Sequence, residues 1–156
     1  MENLNPDFLD FITLLEKESV EYCIVGGYAV GFHGFPRYTG GIDFFVNCTE
    51  SNAAKLLRVM ADFGFGELGL TPQDFLTPDF VIEIGREPRK IQILTGIDGV
   101  GFQECLHTLE ECEYAGRKLK FIGLDALLRN KTASGRAKDQ IDVQQLSMLR
   151  GGSARS

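Results

Sequence analysis

The feature that most constrains this chain is a glycine pair placed directly after a short apolar run. Tyr22-Cys23-Ile24-Val25 leads into Gly26-Gly27, and residues 28 to 33 are compatible with the start of a helix. Gly34 to Gly41 is turn-rich, and Ile42 to Val46 is a second apolar run. The two runs read as short buried strands, and the first must leave its sheet sharply. Glycine permits close backbone approach, so the amides after such a strand can cradle a phosphate; the same pair also serves as a plain tight turn. Asp43 lies between Ile42 and Phe44. Side chains alternate along a strand, so its carboxylate points away from those two neighbours. An unpaired charge is costly to bury, so that face must meet water, a partner or a metal.

The other elements follow from periodicity and capping. Asn5, Pro6 and Asp7 open a helix whose apolar stripe is Phe8, Phe11, Ile12 and Leu15. Thr49 to Phe63 reads as a helix with Ala53, Leu56, Leu57 and Met60 on one face. Phe80 to Ile84 and Lys90 to Leu94 form a hairpin around Gly85–Arg89, and Glu111–Ala115 with Lys118–Ile122 a second one around Gly116-Arg117. Leu124–Asn130 and Ala137–Leu149 read as closing helices, and 151–156 as a flexible tail. Interleaved helices and strands predict an α/β (α+β) fold, a small mixed sheet with helices packed on it, in one domain over 1–150.

Composition narrows the function. The 156 residues carry 16 basic and 22 acidic side chains, a net charge of -6, which disfavours a broad nucleic-acid-binding surface. No apolar run approaches the ~20 residues of a membrane span, and the acidic N-terminus does not read as a signal peptide. Cys23, Cys48, Cys105 and Cys112 lack C-x-x-C spacing, which points to reduced, structural cysteines and a cytoplasmic protein. His33 and His107 stand apart from each other and from cysteine at any ligand spacing, and a structural hydrogen bond is expected of His33.

The stretch V-G-G-Y-A-V-G-F-H-G-F-P-R-Y-T-G-G-I-D-F-F-V resembles the signature of the nucleotidyltransferase superfamily related to DNA polymerase beta, in its small bacterial form. Arg89–Thr95 resembles a second block of that family, and Asn130–Asp139 with Asp142 its closing motif. The resemblance implies the minimal nucleotidyltransferase fold and magnesium-dependent (or manganese-dependent) transfer of a nucleoside monophosphate from a nucleoside triphosphate to an acceptor. The acceptor is a small molecule, a protein or an RNA end, and some relatives belong to toxin–antitoxin pairs. It assigns Asp43 as catalytic residue and metal ligand, and Gly26, Gly27, Arg37, Lys131 and Arg136 to the nucleotide. For Arg37 the competing role is to brace its loop.

The departures carry as much information. The family's first and third aspartates are replaced here by Gly41 and Gln92. Magnesium prefers an oxygen shell with one or two carboxylates and phosphates, so the loss of two of three acids impairs the usual mechanism. If Arg86–Arg89 is the hairpin loop, Ile84 pairs with Ile91 and Glu83 with Gln92. Glu83 is then a relocated carboxylate able to join Asp43 on a metal, or else a solvated strand residue, paired with Lys90 across the turn. Arg129, Lys131, Arg136 and Lys138 form a basic block suited to a triphosphate, or an ordinary solvated charge run in which Lys138 and Asp142 make a surface pair. Two functions therefore stand: a nucleotidyltransferase impaired by Gly41 and Gln92, and a catalytically silent module that binds nucleotide or a protein partner.

Overall fold

The computed structural model describes the backbone of residues 4–155 and the side chains of residues 4–150. Its elements are α1 (Pro6–Lys17), β1 (Tyr22–Val25), α2 (Gly26–Phe32), β2 (Gly41–Val46), α3 (Glu50–Asp62), α4 (Pro72–Leu76), β3 (Val81–Ile84), β4 (Lys90–Leu94), α5 (Phe102–His107), β5 (Glu110–Tyr114), β6 (Arg117–Phe121), α6 (Leu124–Ser134) and α7 (Ala137–Arg155). A 3-10 turn at Gly66–Leu68 precedes α4. The strands form one mixed sheet in the order β3-β4-β2-β1-β6-β5. The antiparallel pair β1 and β2 is central, β4 and β6 run parallel to β2 and β1 respectively, and a hairpin finishes each edge. The expected mixed sheet with packed helices is present.

Alternation along β2 divides the molecule. Phe44 packs against Phe11 of α1 and Tyr22 of β1, with ring centroids 5.3 and 5.8 Å apart. The Ile42–Phe44 face of the sheet therefore looks into the α1 side of the core. Asp43 and Phe45 point the other way, and Phe45 meets Phe102 of α5 edge-on at 5.2 Å. Asn5 caps α1 as expected, accepting from the Asp7 amide at 2.8 Å, and Phe8, Phe11, Ile12 and Leu15 are all buried. Truncating Phe11 to Ala would cost about 3–5 kcal/mol, since the well-packed surroundings collapse only partly into the cavity.

Several boundaries differ from those read in sequence. α2 begins at Gly26, so the glycine pair is the first turn of the helix rather than a loop before it. The second hairpin turns at Ala115-Gly116, one residue earlier than expected. Both residues have positive φ (51° and 77°), as a two-residue loop between right-twisted strands requires. α5 was not anticipated; its six residues are too few to display a period. The closing helices are longer than their apolar patterns. α6 continues to Ser134 and stops at Gly135, whose φ of 67° suits a left-handed cap. α7 remains helical to Arg155, beyond Leu149; the side chains of 151–156 fall outside the described residues. Among the described residues no helix is long and apolar enough to cross a membrane.

Candidate functional site

The register places three site residues in one row. Asp43 of β2 is opposite Gln92 of β4, and Gln92 is opposite Glu83 of β3. Partners directly opposite share a face, so the pairing of Glu83 with Gln92 derived from the loop length is correct. Glu83 is exposed, as foreseen for a solvated strand residue, but its partner is not the one foreseen. The Gln92 side-chain amide donates to Glu83 Oε1 at 2.6 Å, so Glu83 is held by its neighbour and not by Lys90. It lies two strands from Asp43, about 10 Å at ordinary strand spacing.

Sterics explain the glycines beside Asp43. Gly26 has φ of 68°, and a Cβ there would collide with Asp43 Oδ2. Its bare backbone is what lets the carboxylate sit against the start of α2. Gly27 faces elsewhere: a Cβ would lie 2.7 Å from Thr39 Oγ1 and 3.3 Å from an Arg37 guanidinium nitrogen. Gly41 is opposite Lys90, and a Cβ at this position would run into the Lys90 backbone, 2.7 Å from its carbonyl carbon and closer still to the oxygen. The position of the family's first aspartate is therefore closed to any side chain in this backbone arrangement.

Across the cleft lies a buried ion network that the sequence reading missed. Lys131 is 5 % exposed, and its Nζ donates to Asp139 Oδ1 at 2.9 Å and lies 3.1 Å from Asp142 Oδ2. Arg37 reaches Asp142 with two parallel bonds, Nε and Nη2 each at 2.7 Å. Arg136 Nε donates to Asp139 Oδ2 at 2.8 Å, and the Ser134 hydroxyl donates to the same oxygen. Asp139 and Asp142 have no exposed surface. Burial alone would raise both carboxyls, but hydrogen bonds from Ser134, Lys131 and Arg136 hold Asp139 well below the usual carboxylate range. Bonds from Arg37 and Lys131 likewise overcome the burial of Asp142.

The expected surface pair between Lys138 and Asp142 is thus replaced. Asp142 faces inward to Arg37 and Lys131, and Lys138 stays exposed. Arg37 is a brace between the loop before β2 and α7, the competing role foreseen for it. Arg129 of the basic block pairs with Glu104 of α5. His33 makes the structural bond anticipated, with Nε2 2.8 Å from the Ile122 carbonyl. The signal for the network was present in sequence: Asp139 and Asp142 stand one turn apart on a helix, a spacing that puts both on one face.

Between the two regions lies a cleft of about 440 Å³ whose walls include Gly26, Asp43, Asn130, Lys131, Arg136 and Asp139. Asp79 and Asp98 line it as well. Of the residues assigned to the nucleotide, Gly26, Lys131 and Arg136 meet here, whereas Gly27 and Arg37 border a separate hollow with Tyr28, Tyr38 and Pro88. Burial pushes the Asp43 carboxyl up to about 6, against the opposing pull of Lys131, Lys90, Lys138 and Arg136. The charges acting most strongly on Asp43 are cations.

The residues present do not fit a two-ion metal centre. The other acid in the row of Asp43, Glu83, lies two strands away and is engaged with Gln92, and position 41 is closed. Among the described residues no group of three or more His, Cys, Asp or Glu is placed to hold a metal ion.

No protein-family model matches the chain, and no curated protein matches its sequence. Solved structures do. The lincosamide antibiotic adenylyltransferase LnuA, with lincomycin bound, superposes with a TM-score of 0.56 at 16 % identity, covering 94 % of this chain and 98 % of its own. A nucleotidyltransferase candidate from Thermotoga maritima gives 0.54 at 15 % identity, over 99 % and 98 %. An antigenic nucleotidyltransferase-like protein from Paracoccidioides brasiliensis gives 0.53 at 16 % identity, over 92 % and 75 %. The chain shares the fold of these three structures over nearly its whole length.

Proposed function

We propose that the cleft binds a nucleoside triphosphate and that nucleotidyl transfer is strongly impaired. The observation that carries this reading is the cleft itself: Asp43, Lys131 and Arg136 converge on it within a nucleotidyltransferase fold. In the reaction proposed, an acceptor hydroxyl oxygen bonds to the α-phosphorus, the bond to pyrophosphate breaks, and the hydroxyl proton leaves. Asp43 is the group that would take that proton, because burial raises its carboxyl to about 6 and so makes it a stronger base than an ordinary carboxylate. Lys131 and Arg136 would hold phosphate oxygens by charge-assisted hydrogen bonds. The acceptor would be a small molecule, a protein or an RNA end, and the compartment the cytoplasm, where nucleoside triphosphates abound. The alternative, a module that binds nucleotide without turnover, is favoured by the closed position 41.

Titration calorimetry with ATP, GTP, CTP and UTP, in parallel with a pyrophosphate-release assay, tests the reading. Saturable binding of at least one nucleotide, with release slow or undetectable, is expected. Binding of none of them rejects it.

A further inference from the structure

The walls of the cleft are chemically unequal. Lys131 and Ser134 of α6 and Arg136 before α7 carry the proposed phosphate contacts. The lining that follows β4 is of another kind: Leu94, Ile97 and Asp98. Leu94 and Ile97 are half-buried and offer apolar surface, and Asp98 is exposed.

Asp98 sits in a turn that is fixed to α6. Ile97 and Val100 pair as an isolated antiparallel bridge, so Asp98-Gly99 is the turn between them, and Gly99 has φ of 76°. The turn presses on the helix: a Cβ at Gly99 would lie 2.6 Å from Ala133 Cβ and 3.2 Å from the Arg129 carbonyl oxygen. Asn130 Nδ2 donates to the Asp98 carbonyl at 2.9 Å. Asn130 adjoins Lys131 in sequence, about 100° round the helix. One helix thus carries the Lys131 ammonium and holds the Asp98 backbone at its flank. The Asp98 side chain is committed to nothing: among the described residues its carboxylate has neither a hydrogen bond nor an ion pair. Asp79, the other acid at this end, is placed differently. A Cβ at Gly96 would collide with its Oδ1, so its carboxylate is laid on the Gly96 backbone rather than carried by α6.

We propose that Asp98 reads the base of the nucleotide and selects guanine. The inference rests on the nucleotide reading above and names its substrate. With the triphosphate against Lys131 and Arg136, the base falls among Leu94, Ile97 and Asp98. An ionised carboxylate only accepts hydrogen bonds. Guanine alone among the four common bases carries two adjacent donors on one edge, the N1 imino and the 2-amino group, and the two oxygens of one carboxylate accept them in parallel. Adenine and cytosine present a ring-nitrogen acceptor beside their amino group, and uracil has one donor flanked by two carbonyls. An acceptor that faces a carboxylate is left unpaired and repelled, so hydrogen-bonding chemistry rather than size makes the discrimination.

The test is titration calorimetry of the whole chain in magnesium buffer with GTP, ATP, inosine triphosphate and xanthosine triphosphate, for the wild type and Asp98→Asn. The wild type should bind GTP roughly ten- to hundredfold more tightly than ATP, as charged hydrogen bonds gained by one base and denied to the other imply. Inosine triphosphate keeps the N1 donor and lacks the 2-amino group, and should fall between them. Asp98→Asn is nearly isosteric and turns one acceptor into a donor. It should lose the preference for GTP and bind xanthosine triphosphate, whose 2-carbonyl accepts where guanine donates, at least as tightly as GTP. Equal binding of GTP and ATP by the wild type would overturn the proposal and leave the nucleotide reading intact. A guanine preference that survives Asp98→Asn would overturn the role of Asp98. So would a loss in that variant of the same size for every nucleotide, which marks a contact to ribose or phosphate. Binding of no nucleotide by the wild type would remove the nucleotide reading itself, and the proposal with it.

Discussion

Two clusters of charge face each other across the cleft, and they are built on opposite terms. On the helical side, Arg37, Lys131 and Arg136 meet Asp139 and Asp142 in a network whose two acids are wholly buried. On the sheet side, Asp43 keeps company with Gly41 and Gln92, and its surrounding cations contact other groups or none. The helical cluster is internally neutralised to within one charge and ties α6, α7 and the loop before β2 together. The sheet cluster has one acid, whose carboxyl is raised to about 6 by burial. A buried ion pair contributes little net stability but is costly to break. An unmatched, half-buried carboxylate is a local cost that a folded protein retains for a reason other than stability. The matched charges thus lie on the helical wall and the unmatched carboxylate on the sheet wall.

The sharpest way to break this comparison is to remove its central cation. Lys131→Met leaves Asp139 and Asp142 without their shared partner, and a loss of about 3–5 kcal/mol in urea denaturation is expected. A loss below 1 kcal/mol would show that Arg37 and Arg136 suffice. The same network predicts acid sensitivity. Asp139 and Asp142 have depressed folded-state pKa values, so their contribution is present above the unfolded carboxylate range near 4. It is lost as pH falls below that range through the folded values, and denaturation midpoints measured between pH 5 and pH 2 would show the decline.

Next in size is the attempt to restore the family pattern. Gly41→Asp must displace the Lys90 backbone, at a cost of about 1–3 kcal/mol or more. Gln92→Asp meets no such obstacle but gives up the bond to Glu83 and adds a second acid beside Asp43. A double revertant should therefore melt well below the Gln92→Asp single variant. Equal melting temperatures would show that the Lys90 backbone yields freely and that the missing acid can be rebuilt by substitution alone.

Asp43→Asn should act in the opposite direction. Its carboxyl is raised to about 6 in the folded chain, so the ionised form is penalised above that pH. The penalty disappears as pH falls through 6 towards the unfolded value near 4. The variant should be more stable than wild type at pH 8, by roughly 1–3 kcal/mol, and equal to it at pH 4. A destabilised variant at pH 8 would mean that the cations around Asp43 outweigh its burial. The smallest effect is expected at Glu83, an exposed residue bonded to Gln92. Glu83→Gln should change stability by no more than about 0.5 kcal/mol and leave nucleotide binding as it was. A marked loss of binding would restore Glu83 to the site.

What the sequence determined by itself is local. The cap at Asn5, the stripe from Phe8 to Leu15 and the register of Glu83 against Gln92 depend on neighbours a few residues apart or on one loop length, so spacing alone reveals them. The nucleotidyltransferase resemblance, carried by three short blocks, agreed with the fold for the same reason: the strand, glycine pair and following strand form one continuous unit. Tertiary structure decided which charges meet. Arg37 and Asp142 are 105 residues apart in the chain yet share two hydrogen bonds, and no local spacing announces that. Lys131 looked like a free cation in a basic run until the packing of α6 on α7 enclosed it. Position 41 looked like a lost acid until the pairing with β4 showed that the Lys90 backbone fills its place. Periodicity determines which face of an element is apolar; only the meeting of elements determines whether a charge on that face is solvated, paired or left for a ligand.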